Sequence, residues 1–323
     1  MSPNKIRRTV ARMVRPLVPK ASWEKLIVKR MAANRNLEVI EHDLSFDLTR
    51  GDRVLRIRRD HRVYLAHMIE NFEYFVDSVI PMHVNGTSLV DMSGPRYHRL
   101  KGFGEIPFLF PSHTEPYDST AQYLDFARLS GGETVFDIGA YSAVTSIIFA
   151  QLVGPTGQVY AFEADDVNHE CAQINIEMAA RVLGLKNIKL IHKAIWSHSQ
   201  GVLFSNEGAM GSSAVNITGG GRGVERIVPS IRLQDFCEEE GINKAHFVKV
   251  DIEGGEVEML KSSARFLKSL NASVIVEPHF VDGSLSTDRC SKLLAEAGYQ
   301  VRVRDKAGEA EMLIEAIPGV EAT

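Results

Sequence analysis

The stretch that decides the fold is VFDIGAYSAVTSIIFA, residues 135–150. It predicts a buried strand, a tight turn at its only glycine, Gly139, and an apolar helix in immediate succession. The same alternation continues along the chain, where "QVYAFEA", "IKLIHKAIW", "AHFVKVDIEG" and "SVIVEPHF" are predicted strands separated by helical segments. Strands that alternate with helices indicate an α/β domain with a mostly parallel sheet.

The end of the chain departs from this alternation. After a predicted helix at 287–298, two strands, "YQVRVRD" and "MLIEAI", are separated only by the short turn "KAGE". Two strands joined so closely form a hairpin, so one of them runs antiparallel to its neighbour. A parallel sheet closed by a C-terminal antiparallel hairpin is a narrower signature than an α/β fold in general.

The first third of the chain has a different pattern. Short apolar runs, such as "EYFVDSVI" and "EIPFLF", look β-like and are broken by polar and turn residues. We therefore predict an N-terminal α+β extension at 1–115, without chemistry of its own, that packs on a main domain at 116–323.

Composition excludes several classes of protein. The 323 residues carry a net charge of −4, which gives no general attraction to nucleic acid. The three cysteines are far apart and form no CxxC pair, so we expect no disulfide framework and no zinc site, and a cytoplasmic location. No apolar run reaches the roughly 18 residues of a transmembrane segment.

The N-terminus is basic. Its cations precede the first acid, Glu24, and are Lys5, Arg7, Arg8, Arg12, Arg15 and Lys20. One interpretation is weak peripheral contact with an anionic membrane or an acidic partner, and the other is a solvated terminus. The sequence does not indicate an oligomeric state.

The glycine turn suggests a ligand. A nicotinamide dinucleotide normally needs G-x-G-x-x-G, whereas this turn keeps one glycine and carries Asp137, which would repel a diphosphate. S-adenosylmethionine has an ammonium and a sulfonium group and no phosphate, so it suits an anionic turn. Glu163 ends the second strand, where an acid can accept hydrogen bonds from ribose hydroxyls. The alternative for Glu163 is a surface acid that caps the next helix.

Several blocks in order resemble the FkbM family of S-adenosylmethionine-dependent methyltransferases. They cover roughly residues 117–300, and the most diagnostic, "VKVDIEGGEVEML", is close to the family pattern K-x-D-[VI]-E-G-x-E. The resemblance implies a class I methyltransferase (Rossmann-like) fold and O-methylation of a small-molecule or glycan hydroxyl, on a sugar, glycoconjugate or related natural product. The predicted cofactor-binding residues are Asp137, Gly139, Ala140, Tyr141, Glu163, Ala194 and Asp251.

The turn departs from the family pattern after Ala140. The family commonly has Asn and a further Gly, whereas this chain has Tyr141, Ser142 and Ala143. Alanine in place of glycine is a mild change if the backbone keeps a negative φ. Tyr141 either stacks over the cofactor or forms part of the rim of the site.

Methyl transfer to an alcohol needs a base or a metal ion. Asp251 ends the fourth predicted strand, and Glu277 and His279 end the fifth. Our first assignment is His279 as general base, oriented by Glu277 or Asp251. The second is a Mg²⁺-type site of Asp251, Glu277 and His279, so that a divalent cation is possible but not preferred. The third is a purely structural Glu277–His279 pair.

Four other residues and one glycine-rich segment have expected roles. Lys249 is expected to pair with an acid at the end of the sheet. Glu256 and Glu258 favour a helix N-terminus, and Glu256 also falls on the family motif. Trp196 is either a core aromatic or a stacking partner of adenine. The segment "TGGGRG", at 218–223, is expected to be a hairpin tip that covers the acceptor.

Two alternative functions stay open on the sequence. One is a non-catalytic methyltransferase-like scaffold, which the altered turn at 141–143 permits. The other is a nicotinamide-dependent oxidoreductase, which the missing glycines oppose.

Overall fold

The computed structural model describes residues 20–104, 106–218, 223–305 and 312–319. The chain divides into two compact units, Met1–Gly94 and Pro95–Thr323. The basic stretch at 1–19 lies outside the described residues, as do 219–222 of the glycine-rich segment, so the expectations placed on them stay predictions. No helix within the described ranges is both long enough and apolar enough to cross a membrane.

The first unit contains a five-stranded sheet of order β1-β2-β3-β5-β4 with helices beside it. Its described elements are α1 (Lys20–Asn34), β1 (Glu38–Glu41), β2 (Ser45–Arg50), β3 (Arg53–Arg58), a 3₁₀ helix (Arg59–Tyr64), α2 (Leu65–Glu70), α3 (Phe72–Ser78), β4 (Met82–Val84) and β5 (Thr87–Met92). β3 and β5 are parallel, and the helices form the crossover between them. This composition agrees with the predicted α+β class.

One prediction in this unit was wrong. The segment "EYFVDSVI" was expected to be β-like, but most of it belongs to α3. Phe72, Phe75 and Val76 are buried, while Glu73 and Asp77 are exposed. The buried positions therefore recur with the helical spacing of three and four, which the alternation of short apolar runs concealed.

The second unit contains the central sheet. Its described strands are β6 (Arg96–Arg99), β7 (Pro107–Phe110), β8 (Thr134–Ile138), β9 (Gln158–Phe162), β10 (Ile188–Ile191), β11 (Ala194–Ile195), β12 (Val202–Asn206), β13 (Ser213–Ala214), β14 (Val224–Val228), β15 (Ser230–Ile231), β16 (Phe247–Val250), β17 (Ser273–Val276), β18 (Phe280–Val281), β19 (Ser284–Leu285), β20 (Tyr299–Asp305) and β21 (Met312–Pro318). Its described helices are α4 (Tyr117–Ala127), α5 (Val144–Val153), α6 (Asp166–Leu183), α7 (Val215–Thr218), α8 (Leu233–Glu240), α9 (Glu256–Ser269) and α10 (Thr287–Glu296).

Seven of these strands form one sheet of order β10-β9-β8-β16-β17-β21-β20. The first five run parallel, and β21 runs antiparallel to both of its neighbours. This is the strand order of class I methyltransferases, so the predicted fold and the closing hairpin are confirmed.

The register of the sheet positions the functional site. Ile138 at the end of β8 lies opposite Phe162 of β9 and Val250 of β16, and Val250 lies opposite Val276 of β17. The carboxyl ends of four adjacent strands therefore meet at one edge. Ligands of open α/β sheets bind at this edge.

The β6–β7 hairpin belongs to the second unit, although the sequence placed it in the extension ending at residue 115. A buried side chain of α6, Asn175, fixes it there. The Asn175 amide donates to the carbonyl oxygens of Leu109 and Ser142, both at 2.8 Å, and its Oδ1 accepts the Leu109 N–H at 2.7 Å. The structural boundary accordingly falls at Gly94–Pro95.

Asn175→Ala is expected to destabilise the protein by about 2–3 kcal/mol, since it leaves three backbone groups without their partner. Chemical unfolding monitored by circular dichroism measures this loss. Glu170→Ala, at an exposed position of the same helix, is the control and should change the unfolding free energy by less than about 0.5 kcal/mol. Equal effects of the two substitutions would show that Asn175 does not fix the hairpin.

The core of the second unit lies on both faces of the parallel strands. Phe136, Val248 and Val250 pack on one face with α8 and α9, while Val135 and Phe247 pack on the other with α5. All three cysteines of the chain are free and buried.

Candidate cofactor and catalytic site

The turn after β8 is held against the next strand by its backbone. The N–H groups of Gly139 and Ala140 both donate to the carbonyl oxygen of Phe162, at 3.0 and 2.8 Å. Gly139 has φ of +90°, and a Cβ added there would lie 1.7 Å from the carbonyl oxygen of Asp251. Only glycine can therefore occupy this position, because the turn passes directly against the end of β16.

Two other residues of the turn are in the left-handed region. Tyr141 has φ of 48° and Ala143 has φ of 62°. Alanine in place of glycine is mild only at negative φ, and Ala143 does not meet that condition. The Tyr141 hydroxyl donates to the carbonyl oxygen of His113 at 2.8 Å, and the side chain is buried. This anchoring helps to hold a turn that its sequence alone would disfavour.

Glu163 lies where the sequence placed it, at the end of β9. Its Oε2 accepts the N–H of Tyr141 and its Oε1 accepts the N–H of Asp165, both at 2.8 Å. Burial, and then the neighbouring Asp165 carboxylate, raise the pKa of Glu163 to about 8. Glu163 thus links the turn after β8 to the turn after β9. Its buried carboxyl group lies between these two turns.

Lys249 forms the predicted ion pair beneath the turn. Its Nζ donates to the carbonyl oxygen of Gly139 at 2.6 Å and lies 3.2 Å from Asp137 Oδ1 and 3.4 Å from Asp251 Oδ2. Burial alone would lower the pKa of Lys249, but the carboxylates of Asp137, Asp251 and Glu115 outweigh it and raise that pKa. Asp137 is fully buried and also accepts the Ser146 hydroxyl at 2.6 Å. Asp137 therefore stabilises the turn through its contacts with Lys249 and Ser146.

The ends of β16 and β17 bring four ionisable residues together. His279 Nδ1 lies 2.8 Å from Glu256 Oε1 at the start of α9. His279 Nε2 lies 3.7 Å from Asp251 Oδ1 and 3.5 Å from Glu253 Oε1. Glu256 is fully buried, and its Oε1 also accepts the N–H of Gly254 at 2.9 Å. Because Glu256 fixes one ring nitrogen, the other faces Asp251 and Glu253.

Glu277 has a different partner from the one predicted. The Tyr123 hydroxyl of α4 donates to Glu277 Oε2 at 2.7 Å and lies 3.4 Å from Asp251 Oδ2. The residue that orients His279 is Glu256, and neither Glu277 nor Asp251 does so. The sequence assigned Glu277 because it is two residues from His279, whereas Glu256 reaches the ring from a different element.

The packing of these ionisable residues shifts the pKa values of His279 and Glu253. Burial opposes the charge on His279, but Glu253 and Glu256 outweigh it and raise the pKa of His279 well above its ordinary value. Burial raises the pKa of Glu253 to about 7, while the charge of His279 acts in the opposite direction. At neutral pH the imidazole is therefore protonated, and Glu253 is the group that titrates. Glu253 also has φ of 52°, an uncommon conformation for a residue other than glycine.

One cavity joins these features. Its walls include Gly139, Tyr141, Glu163, Ala194 and Asp251 from the predicted set, whereas Asp137, Ala140, Glu277 and His279 are not among the residues that border it. Trp196 borders the cavity and is buried.

Sequence reasoning gave no role to two of the acidic residues on these walls, Glu115 and Glu253. Glu253 lies in the D-x-E segment that carries the family resemblance, which was a usable signal. Glu115 has none.

A segment after β12 closes one side of the cavity. Asp165, the N-cap of α6, accepts the N–H of Gly208 at 3.1 Å and the hydroxyl of Ser212 at 2.8 Å. Further along, the Ser213 hydroxyl donates to the carbonyl oxygen of Glu253 at 2.6 Å. This segment therefore contacts both Asp165, in the turn after β9, and Glu253, which follows β16.

A metal ion would have one candidate position in the described part of the chain. Asp251, Glu253 and His279 offer ligand atoms that all lie within 4.8 Å of one another. The alternative ligand set inferred from the sequence contained Glu277 in place of Glu253.

The strand order, the single-glycine turn and the acid at the end of the second strand define a class I S-adenosylmethionine-dependent methyltransferase. The family model described as the methyltransferase FkbM domain matches residues 137–301, just over half of the chain. The chain therefore belongs to the FkbM methyltransferase family. Membership supports S-adenosylmethionine-dependent methyl transfer as its activity and opposes the oxidoreductase alternative.

Several solved structures are similar to this chain. Precorrin-6y C5,15-methyltransferase from Geobacter metallireducens has 19% identity and a TM-score of 0.40, covering 63% of this chain and 88% of that one. Methyltransferase FkbM from Methylobacillus flagellatus has 14% identity and a TM-score of 0.44, covering 62% and 48%. A SAM dependent methyltransferase from Aquifex aeolicus has 16% identity and a TM-score of 0.35, covering 62% and 89%. Likeness at this level leaves the acceptor open.

Proposed function

We propose that this protein is an S-adenosylmethionine-dependent O-methyltransferase that acts on a hydroxyl of a sugar, a glycoconjugate or a related natural product. The observation that carries the proposal is the continuous cavity between Glu163, at the end of β9, and Asp251 and Glu253, which follow β16. A buried acid at one end suits ribose hydroxyls, and the acidic cluster at the other suits a sulfonium and an acceptor that must lose a proton.

The residues of the cavity fit the cofactor in charge. Glu163 would hold the ribose, Ala194 and Trp196 would flank the adenine, and Gly139 allows the backbone to pass close to the ligand. S-adenosylmethionine, when bound, supplies a methyl group on a positively charged sulfur. The anionic residues Asp251 and Glu253 border the same cavity and favour that charge.

Glu163→Ala is expected to weaken binding of S-adenosylhomocysteine about a hundredfold, since it removes the carboxyl group that would form hydrogen bonds with both ribose hydroxyls. Glu163→Gln keeps one acceptor oxygen and should lose about tenfold. Calorimetric titration measures both affinities, and Glu170→Ala on the exposed face of α6 is the control. Thermal unfolding of each variant shows whether the loss arises from binding or from folding. Unchanged affinity in folded Glu163→Ala would remove the ribose assignment.

The structure favours Glu253 over His279 as the general base. A base must be unprotonated, and the acids around His279 keep that ring protonated at neutral pH. Glu253 has a pKa of about 7, close to the value at which general-base catalysis is most effective. As the acceptor oxygen forms its bond to the methyl carbon, the hydroxyl proton passes to the Glu253 carboxylate. The electron pair of the broken carbon–sulfur bond stays on sulfur.

His279 has a positioning role in this scheme. Its protonated ring faces the carboxylates of Asp251 and Glu253 from 3.7 and 3.5 Å, while Glu256 fixes its orientation. An imidazolium there supplies the positive charge that a divalent cation would otherwise bring. We therefore prefer the base to the metal site.

Transfer of label from methyl-labelled S-adenosylmethionine to a panel of glycans and polar natural-product hydroxyls tests this function. The expected result is label in an acid-stable methyl ether, with one equivalent of S-adenosylhomocysteine released, and unchanged turnover after chelation of divalent cations. Cofactor binding with no transfer to any member of the panel would favour the scaffold alternative. Label on carbon or nitrogen would contradict O-methylation.

A further inference from the structure

Glu115 is an acid that lies outside the residues matched to the FkbM family, 137–301. It follows β7 in the short segment before α4, yet it borders the same cavity as Gly139 and Asp251. Its Oε2 accepts the hydroxyl of Ser142, within the glycine turn, at 2.8 Å. A residue that the sequence assigned to a chemically silent extension therefore contributes a wall of the site.

Glu115 shares one nearby ammonium group with two other acids. Glu115, Asp137 and Asp251 are three acids whose charges act on a single ammonium group, that of Lys249. Lys249 is already engaged by the carbonyl oxygen of Gly139 and by Asp137 and Asp251. Among the described residues, none forms an ion pair with Glu115. A partly buried carboxylate without a paired cation is costly, so this position favours a cationic ligand.

The position of Glu115 selects one end of the cofactor. Glu163 and Ala194 lie on the β9 and β10 side of the turn, where ribose and adenine are assigned. Glu115 contacts Ser142, and its charge acts on Lys249 and Asp251 on the β16 side. The amino-acid end of S-adenosylmethionine extends away from the ribose, and its cationic group is a primary ammonium.

We propose that Glu115 binds the α-ammonium group at the amino-acid end of S-adenosylmethionine. This inference rests on the proposed function, because it assumes that cofactor. Glu115 then acts as a specificity-determining residue, which distinguishes ligands with an amino group from those without one. Burial raises the pKa of Glu115 to about 7, and a ligand ammonium beside it would favour the ionised carboxylate.

The test compares two ligands and several variants by calorimetric titration. The ligands are S-adenosylhomocysteine and its deamino analogue, which carries hydrogen in place of the α-amino group. The wild type is expected to bind S-adenosylhomocysteine about ten- to a hundredfold more tightly than the analogue. Glu115→Gln should bind S-adenosylhomocysteine about ten- to a hundredfold more weakly than the wild type does. Its affinity for the analogue should be unchanged. Glu115→Asp should retain part of the preference.

The controls separate a binding role from a structural one. Ser142→Ala removes the hydroxyl that contacts Glu115 but keeps the carboxylate, so the preference for the amino group should persist. Glu170→Gln removes an exposed acid and should change neither affinity. A wild type that binds both ligands equally, or a Glu115→Gln variant that weakens both equally, would overturn the inference while leaving the cofactor assignment intact. A wild type that binds neither ligand would instead contradict the proposed function.

Discussion

Glu253→Gln is expected to slow methyl transfer by about 10²- to 10⁴-fold, the usual contribution of a general base. Glutamine keeps the volume and the hydrogen-bonding oxygen of glutamate but cannot take up the hydroxyl proton. Affinity for S-adenosylhomocysteine should change by less than about threefold, because that ligand carries no methyl group and presents no sulfonium to the cluster. Single-turnover transfer of a labelled methyl group, together with calorimetric titration, measures the two quantities separately.

The pH profile gives a second test of the same assignment. The pKa of Glu253 is raised to about 7 by burial, so the carboxylate is protonated below that pH and ionised above it. The rate should therefore rise about tenfold per pH unit below pH 7 and level off above it. Glu258→Gln, in the first turn of α9 and five residues after Glu253, is the matched control and should retain the wild-type profile. A pH-independent wild-type rate, or full activity of Glu253→Gln, would exclude Glu253 as the base.

Gly139→Ala is expected to destabilise the protein by more than about 3 kcal/mol and to abolish cofactor binding. At φ of +90°, alanine is strained, and its Cβ would lie 1.7 Å from the carbonyl oxygen of Asp251. Backbone atoms cannot give way as the end of a flexible side chain can, so either the turn or the end of β16 must move. That movement would also displace Asp251 and the Glu163 contact.

Gly184→Ala is the matched control for this substitution. Gly184 also has positive φ, +72°, but an added Cβ meets nothing within 4 Å. It should therefore cost only the conformational strain, about 1 kcal/mol, and leave binding intact. Urea unfolding of both variants gives the difference. Similar losses for Gly139→Ala and Gly184→Ala would show that the contact with Asp251 does not constrain the turn.

The central sheet was predictable because its signals are local. Short apolar strands, helices between them and a closing pair of strands are each visible within about ten residues of sequence. Glu163 and Asp251 were predictable for the same reason, since each directly follows a strand and the carboxyl ends of parallel strands share an edge. The order in which those ends meet then follows from the fold.

The partners of the site residues were not predictable in this way. Tyr123 reaches Glu277 from α4, and Glu256 reaches His279 from α9, so that in each pair the two side chains come from different elements. Sequence spacing favoured Glu277 as the partner of His279 because the two are close along the chain. The protonation of His279 depends on the acids that packing brings around it. It disfavours the role of general base first assigned to His279 and favours Glu253, to which the sequence assigned no role.

The place of Glu115 at the site was also not predictable from the sequence. The segment at 95–115 has no periodic pattern and no motif, and the sequence grouped it with the N-terminal extension. In the structure, the β6–β7 hairpin is fixed to α6 through Asn175, which brings Glu115 against the glycine turn. The location of Glu115 therefore depends on a buried asparagine in a helix that is distant along the sequence.

In the proposed function, one cavity binds S-adenosylmethionine with its ribose at Glu163 and its sulfur toward Asp251 and Glu253. A crystal structure of the chain with bound S-adenosylhomocysteine tests it most directly. Both ribose hydroxyls are expected within hydrogen-bond distance of the Glu163 carboxylate, with the sulfur facing the Asp251–Glu253 side of the cavity. A ligand bound elsewhere, or one whose ribose does not contact Glu163, would contradict the account.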